Sequence, residues 1–160
     1  MLRLLFSLLT IFIVGCEANG IKSDFDINSL SNRAKRTDAH IMIFLHKNHC
    51  GFCENMQKSI DSIDVKREIE DNFIFLSLNI NKPQKVSYKD FIGTTHQFAK
   101  EFGVHLYPTI IFIDKNNKAI YSTVGYRKPK ELLNILKFIS SNSYKEMDLD
   151  TFKSDLEFQE

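Results

Sequence analysis

The chain has 160 residues, 43% of them hydrophobic, a length that buries one sizeable core but not two ordinary domains. Its formal net charge is +1, with lysines and arginines scattered along it, which argues against a basic stripe for nucleic acid and against an acidic solvating block. Charge says nothing more about partners, so function has to be sought in motifs along the chain.

Met1-Leu2-Arg3 gives a short positive start, and Leu4 to Val14 is an apolar stretch of signal-peptide length, too short to span a bilayer securely as a mature helix. It ends in Ile13-Val14-Gly15-Cys16, which resembles the bacterial lipobox: an apolar residue, a tolerant position, a small residue and the cysteine that is lipidated. The resemblance implies that residues 1–16 are a lipoprotein signal peptide and that lipid on Cys16 anchors the domain to a membrane in the periplasm. Ordinary signal peptidase cleavage after Ala18 is the alternative, and it would release a soluble periplasmic protein. Either route places the domain outside the cytoplasm. With Cys16 lipidated or removed, only Cys50 and Cys53 remain, so no disulfide framework staples the mature chain.

Residues 17–26 read as a polar linker. Ile27, Leu30 and Ala34 then recur at helical spacing, with Asp26 or Asn28 placed to cap, which predicts an amphipathic helix over 27–37. Ile41 to His46 is a continuous apolar run, the pattern of a strand buried on both faces. After the cysteines, Met56, Ile60 and Ile63 keep helical spacing to about Ile63, and Phe73 to Ile80 forms a second buried strand. Residues 81–93 read as a loop or irregular insertion, of a kind that often shapes partner choice. Thr94 with Gln97 resembles a capping box that opens a helix running through Phe98, Ala99 and Phe102 to Gly103. Thr109 to Ile113, a turn over Asp114 to Asn117, and Ala119 to Val124 predict an antiparallel hairpin. A last helix begins at Pro129 and carries Leu132, Leu133, Ile135, Leu136 and Ile139. The order predicts an α/β fold whose sheet mixes parallel and antiparallel strands between helices on both faces.

Cys50-Gly51-Phe52-Cys53 sits where the first predicted strand meets its following helix. Attachment of c-type haem requires His directly after the second cysteine, and Glu54 stands there. A purely structural crosslink across so small a loop would stabilise little, since the entropic gain grows with loop length. Structural zinc wants a second ligand pair, and no other Cys-x-x-Cys exists. His46, His49 and His105 lie near the pair in sequence or ahead of Pro108, and they keep a copper or zinc alternative open beside thiol-disulfide exchange.

The cysteine pair after a buried strand, Tyr107-Pro108-Thr109 ahead of the hairpin, and Gly125 after it together resemble the thioredoxin fold, over nearly all of residues 27–141. With the exported context, the phrase Cys-Gly-Phe-Cys-Glu-Asn-Met is most similar to periplasmic thioredoxin-related proteins. Among these are SoxW-like proteins and the C-terminal thioredoxin domain of the membrane disulfide reductase DsbD. The resemblance implies a thioredoxin fold, a cis Tyr107-Pro108 bond and a redox-active Cys50–Cys53 disulfide with no other cofactor and no metal. Helix N-terminal N–H groups and the positive dipole end favour a thiolate and bring such a cysteine to a pKa of roughly 3.5 to 7.5. Cys50 is accordingly expected to attack and Cys53, one turn on, to resolve. Tyr107, Pro108 and Thr109 are expected to receive an extended substrate as an added strand. A trans proline opening a strand is the alternative, and the commoner one among proteins at large.

His49, Gly51 and Phe52 flank the pair. Neither member of the Gly-Phe dipeptide adds positive charge near Cys50, which favours a moderate to reducing poise and hence reduction of protein disulfides over oxidation or isomerisation. The implied partners are extracytoplasmic thiols and disulfides, a DsbD-like membrane electron donor and the lipid anchor, with no nucleic acid. Six residues before the first cysteine, where thioredoxins place a buried acid, stands Phe44; Glu54 reads as a solvated carboxylate complementing the helix dipole. Phe73, Phe75, Phe98, Phe102 and Phe112 read as packing residues, and His40 and His96 as surface or helix-edge groups. Residues 142–160 carry Leu149, Phe152 and Leu156 among acids, consistent with either a docking helix or a frayed tail.

Overall fold

The computed structural model describes residues 23–158, so the signal segment and Cys16 lie outside the described residues. In chain order the elements are β1 (Phe25–Asp26), α1 (Ile27–Thr37), β2 (His40–His46), α2 (Gly51–Ile60), α3 (Ile63–Asn72) and β3 (Phe73–Asn79). They continue as β4 (Lys85–Tyr88), β5 (Phe91–Thr94), α4 (Thr95–Glu101), β6 (Thr109–Ile113), β7 (Ala119–Val124), α5 (Pro129–Ser140), a 3-10 turn (Ser143–Lys145) and α6 (Leu149–Glu157). A four-stranded sheet of order β3-β2-β6-β7 pairs β2 with β3 in parallel and its other neighbours antiparallel, the mixed sheet of a thioredoxin fold.

Two apolar layers clamp this sheet, because strand residues alternate between its faces. Met42 and Phe44 of β2 and Ile110 and Phe112 of β6 point to one side, where they meet Met56 and Ile60 of α2, Val65 and Ile69 of α3, and Leu132, Leu136 and Ile139 of α5. Ile41, Ile43 and Leu45 point to the other side, against Ile27 and Ala34 of α1 and Phe98 and Ala99 of α4. Local signals agree with these placements. The Asp26 carboxylate accepts from the Ser29 N–H at the start of α1, and Thr94 and Gln97 form a reciprocal capping box on α4. Gly103, at φ +65°, ends that helix in the left-handed region.

Several expectations are corrected. The helix after the cysteines stops at Ile60, and a separate α3 follows; its ten residues have only Val65 and Ile69 buried among many charges, too thin an apolar stripe to announce itself. β3 is an edge strand whose outer positions are open, so Phe75 is 36% exposed rather than core. The stretch 81–93 is not irregular: β4 and β5 form an antiparallel hairpin that joins β1 in a second, three-stranded sheet. Val86 and Tyr88 from this hairpin enter the core over α4. At the C-terminus α6 is a docked helix, with Phe152 packed against Phe138 at 5.4 Å between ring centroids.

His40 is also corrected, from surface to core. It is 7% exposed, with its ring edge-on to Tyr144 at 6.0 Å and tilted against Phe73 at 6.1 Å. Burial holds its imidazole below the ordinary value; Lys145 and Lys115 push the same way, while Asp114 and Asp38 oppose. The unfolded chain therefore binds this proton more tightly than the folded one. Stability contributed by the neutral ring is present above about pH 6.5 and is lost as pH falls below it toward the depressed folded value. Unfolding free energy measured against pH should slope down through this window, and His40→Gln should flatten the slope. A slope unchanged in that variant would show that His40 is not its source.

Candidate active site

β2 delivers the chain to the site. Its last residue, His46, accepts at its carbonyl from the Ile80 N–H at 2.9 Å, and three exposed residues, Lys47, Asn48 and His49, then turn the chain into α2. Asparagines lace this turn to the end of β3: the Asn48 N–H donates to Asn81 Oδ1 at 2.8 Å, and Asn79 Nδ2 donates to Asn48 Oδ1 at 2.7 Å. His49 makes the reversal at φ +53°. Cys50 follows in extended geometry as the N-cap of α2, with its Sγ accepting from the Cys53 N–H at 3.2 Å.

Cys50 and Cys53 are disulfide-bonded, with Cα atoms 5.2 Å apart, a separation that one helical turn provides. Both are largely enclosed, Cys50 at 8% and Cys53 at 4% exposure. Cys50 Sγ lies 3.9 Å from the carbonyl oxygen of Tyr107. The Tyr107-Pro108 peptide is cis, and Pro108 is held from behind where its carbonyl accepts from the Gly125 N–H at 2.8 Å. Gly125 has φ +89°, a backbone that disfavours any side chain. Thr109 opens β6 opposite Leu45 of β2 and bonds through its hydroxyl to the Leu106 carbonyl at 2.7 Å. Strand register therefore brings the cysteine turn and the proline loop together.

Exposed apolar side chains stand on the segments that meet here: Phe52 is 67% exposed, Leu106 69% and Val124 47%, and Tyr107 is half-buried. Gly51 and Glu54 are exposed in the first turn of α2. Behind the pair, Phe44 shares the core cluster with both cysteines and stacks on His46 at 5.0 Å. His46 Nε2 is 3.0 Å from the Ser77 hydroxyl, and burial, aided by Lys82, holds its imidazole below the ordinary value. His105 is exposed, and among the described residues no three His, Cys, Asp or Glu side chains gather to hold a metal ion. Sequence reasoning missed the asparagine lacing and the position of Lys47, whose ammonium lies 5.9 Å from the Tyr107 ring centroid. Periodicity carries no trace of either, since both join residues distant in sequence.

A family model described as a thioredoxin-like domain matches residues 28–140. Among solved structures, a thioredoxin-fold protein from Helicobacter pylori is similar at 25% identity and TM-score 0.64, covering 75% of this chain and 81% of that one. A thioredoxin from Thermus thermophilus is similar in fold at 20% identity and TM-score 0.57, covering 72% of this chain and 84% of that one. No curated protein matches the chain.

Proposed function

This chain belongs to the thioredoxin-like domain family, and from that premise we propose that it is an extracytoplasmic thiol-disulfide oxidoreductase that reduces protein disulfides. The observation that carries the reading is the Cys50–Cys53 disulfide at the start of α2, with Cys50 Sγ 3.9 Å from the carbonyl of the cis-proline loop.

In the reduced pair, the N–H groups of the first turn and the helix dipole, worth roughly half a unit charge, stabilise a Cys50 thiolate. That thiolate attacks one sulfur of a substrate disulfide. A Cys50–substrate bond forms, the substrate S–S bond breaks, and the first substrate thiol leaves with a proton from solvent. Cys53 then loses its proton and attacks Cys50 Sγ, releasing the second substrate thiol and closing the Cys50–Cys53 disulfide. The substrate has gained two electrons and two protons, and a dithiol donor must return them to the pair. Tyr107, Pro108 and Thr109 present the backbone along which an extended substrate pairs. Gly51 and Phe52 place no positive charge beside Cys50, which supports the reducing direction over an oxidising one. Phe44 leaves no carboxylate at that core position, so the Cys53 proton passes to water or to Glu54 at the rim.

The lipobox-like Ile13-Val14-Gly15-Cys16 supports attachment through lipid on Cys16, and the Cys-Gly-Phe-Cys phrase supports kinship with periplasmic thioredoxin-related proteins served by a DsbD-like donor. One experiment tests direction and location together: acid-quenched alkylation of cysteines in fractionated Gram-negative cells making the chain. The expected result is a membrane-bound protein held mainly as the dithiol, and a Cys16→Ser form that leaves the membrane fraction. A steady state dominated by the disulfide would point to an oxidase instead.

A further inference from the structure

We propose that Lys47 makes the site selective for disulfides flanked by acidic residues, an inference that rests on the thiol-exchange reading above. Two segments meet at the disulfide: residues 46–54, which carry the cysteines, and 104–109, whose Tyr107 carbonyl lies 3.9 Å from Cys50 Sγ. They contain one lysine, Lys47, and one carboxylate, Glu54.

Lys47 stands in direct relation to an incoming chain. Its ammonium lies over the Tyr107 ring at 5.9 Å, and the carbonyl of that same tyrosine is 3.9 Å from Cys50 Sγ. Among the described residues no carboxylate reaches ion-pairing distance of Lys47, and its exposed ammonium faces the Tyr107 ring. The turn that carries it is fixed to β3 by the Asn48, Asn79 and Asn81 bonds, which limits how far the ammonium can retreat. A substrate strand paired along Tyr107 would place a side chain about one or two residues from its half-cystine beside Lys47. An Asp or Glu there finds an unpaired ammonium, while a Lys or Arg meets repulsion. Exposed apolar neighbours, Phe52 and Leu106, supply contact without charge preference. Rim charges of this kind act mainly on encounter rate and discrimination.

The test uses the reduced chain and three disulfide-bonded peptides identical except for Glu, Gln or Lys flanking each half-cystine. The rate constant for reduction of the Glu peptide should exceed that of the Lys peptide by about 3- to 10-fold at low ionic strength. The ratio should fall toward one at about 0.5 M salt, where screening shortens the reach of rim charges to a few ångström. Lys47→Gln should lower the Glu/Lys ratio and Lys47→Glu should invert it. The readout is the ratio, so a role of Lys47 in stabilising the Cys50 thiolate, which changes all three rates alike, does not imitate the result. Equal rates for the three peptides in the wild-type chain, or a ratio that survives Lys47→Gln, overturn the proposal while leaving thiol exchange intact. Failure to reduce any of the peptides overturns the exchange reading and this proposal with it.

Discussion

A Cys53→Ala chain will accumulate as mixed disulfides through Cys50, whereas a Cys50→Ala chain will form none and will reduce substrate no faster than buffer. The asymmetry follows from the helix start. Cys50 caps α2, accepts the Cys53 N–H and faces the Tyr107 carbonyl, while Cys53 sits one turn inside with 4% exposure. In the proposed exchange the first thiol meets the substrate and the second attacks Cys50. Well-oriented intramolecular attack has an effective concentration of about 10⁵ M or more. Removing Cys53 leaves release to millimolar external thiols and lengthens the life of the mixed disulfide by orders of magnitude. Non-reducing gels and mass spectrometry of trapped adducts read this directly. Adducts carried by Cys53 in the Cys50→Ala chain would reverse the assigned roles.

Phe98→Ala should destabilise the fold by about 3–5 kcal/mol, as measured by urea unfolding, because it empties the centre of a buried ring cluster. Phe98 is fully buried on α4, with Phe102 at 4.8 Å, Phe91 at 6.0 Å and Tyr88 at 6.1 Å between centroids. Two of those rings, Tyr88 and Phe91, come from the β4-β5 hairpin, so the loss also reports whether the hairpin belongs to the core. A cost below about 1 kcal/mol would mean that the second sheet packs loosely and that the cluster closes over the cavity.

The legible and illegible parts of the fold separate on physical grounds. β2 and β6 announce themselves because central strands are buried on both faces and leave unbroken runs such as Ile41 to Leu45. Caps on α1 and α4 are local: Asp26 or Asn28 signals the first, which Asp26 forms, and Thr94 with Gln97 signals the second. β4 and β5 escaped because each is four residues long and their turn is closed by Lys89 at φ +52°, not by a glycine or proline signal. His40 was misplaced because its burial depends on Tyr144, more than a hundred residues away along the chain. At the site, the Cys-x-x-Cys and Tyr-Pro-Thr motifs marked positions that the structure brings to 3.9 Å from each other. Lys47 and the asparagine lacing were silent, since their meaning lies entirely in cross-chain geometry.

The most direct test of the central claim is turnover of insulin disulfides by a catalytic amount of the chain, with a dithiol donor in excess. Many turnovers per chain, at a rate well above the donor alone and lost in Cys50→Ala, are the predicted result. A rate no greater than that of the donor, from protein shown to carry two alkylatable thiols, would contradict it.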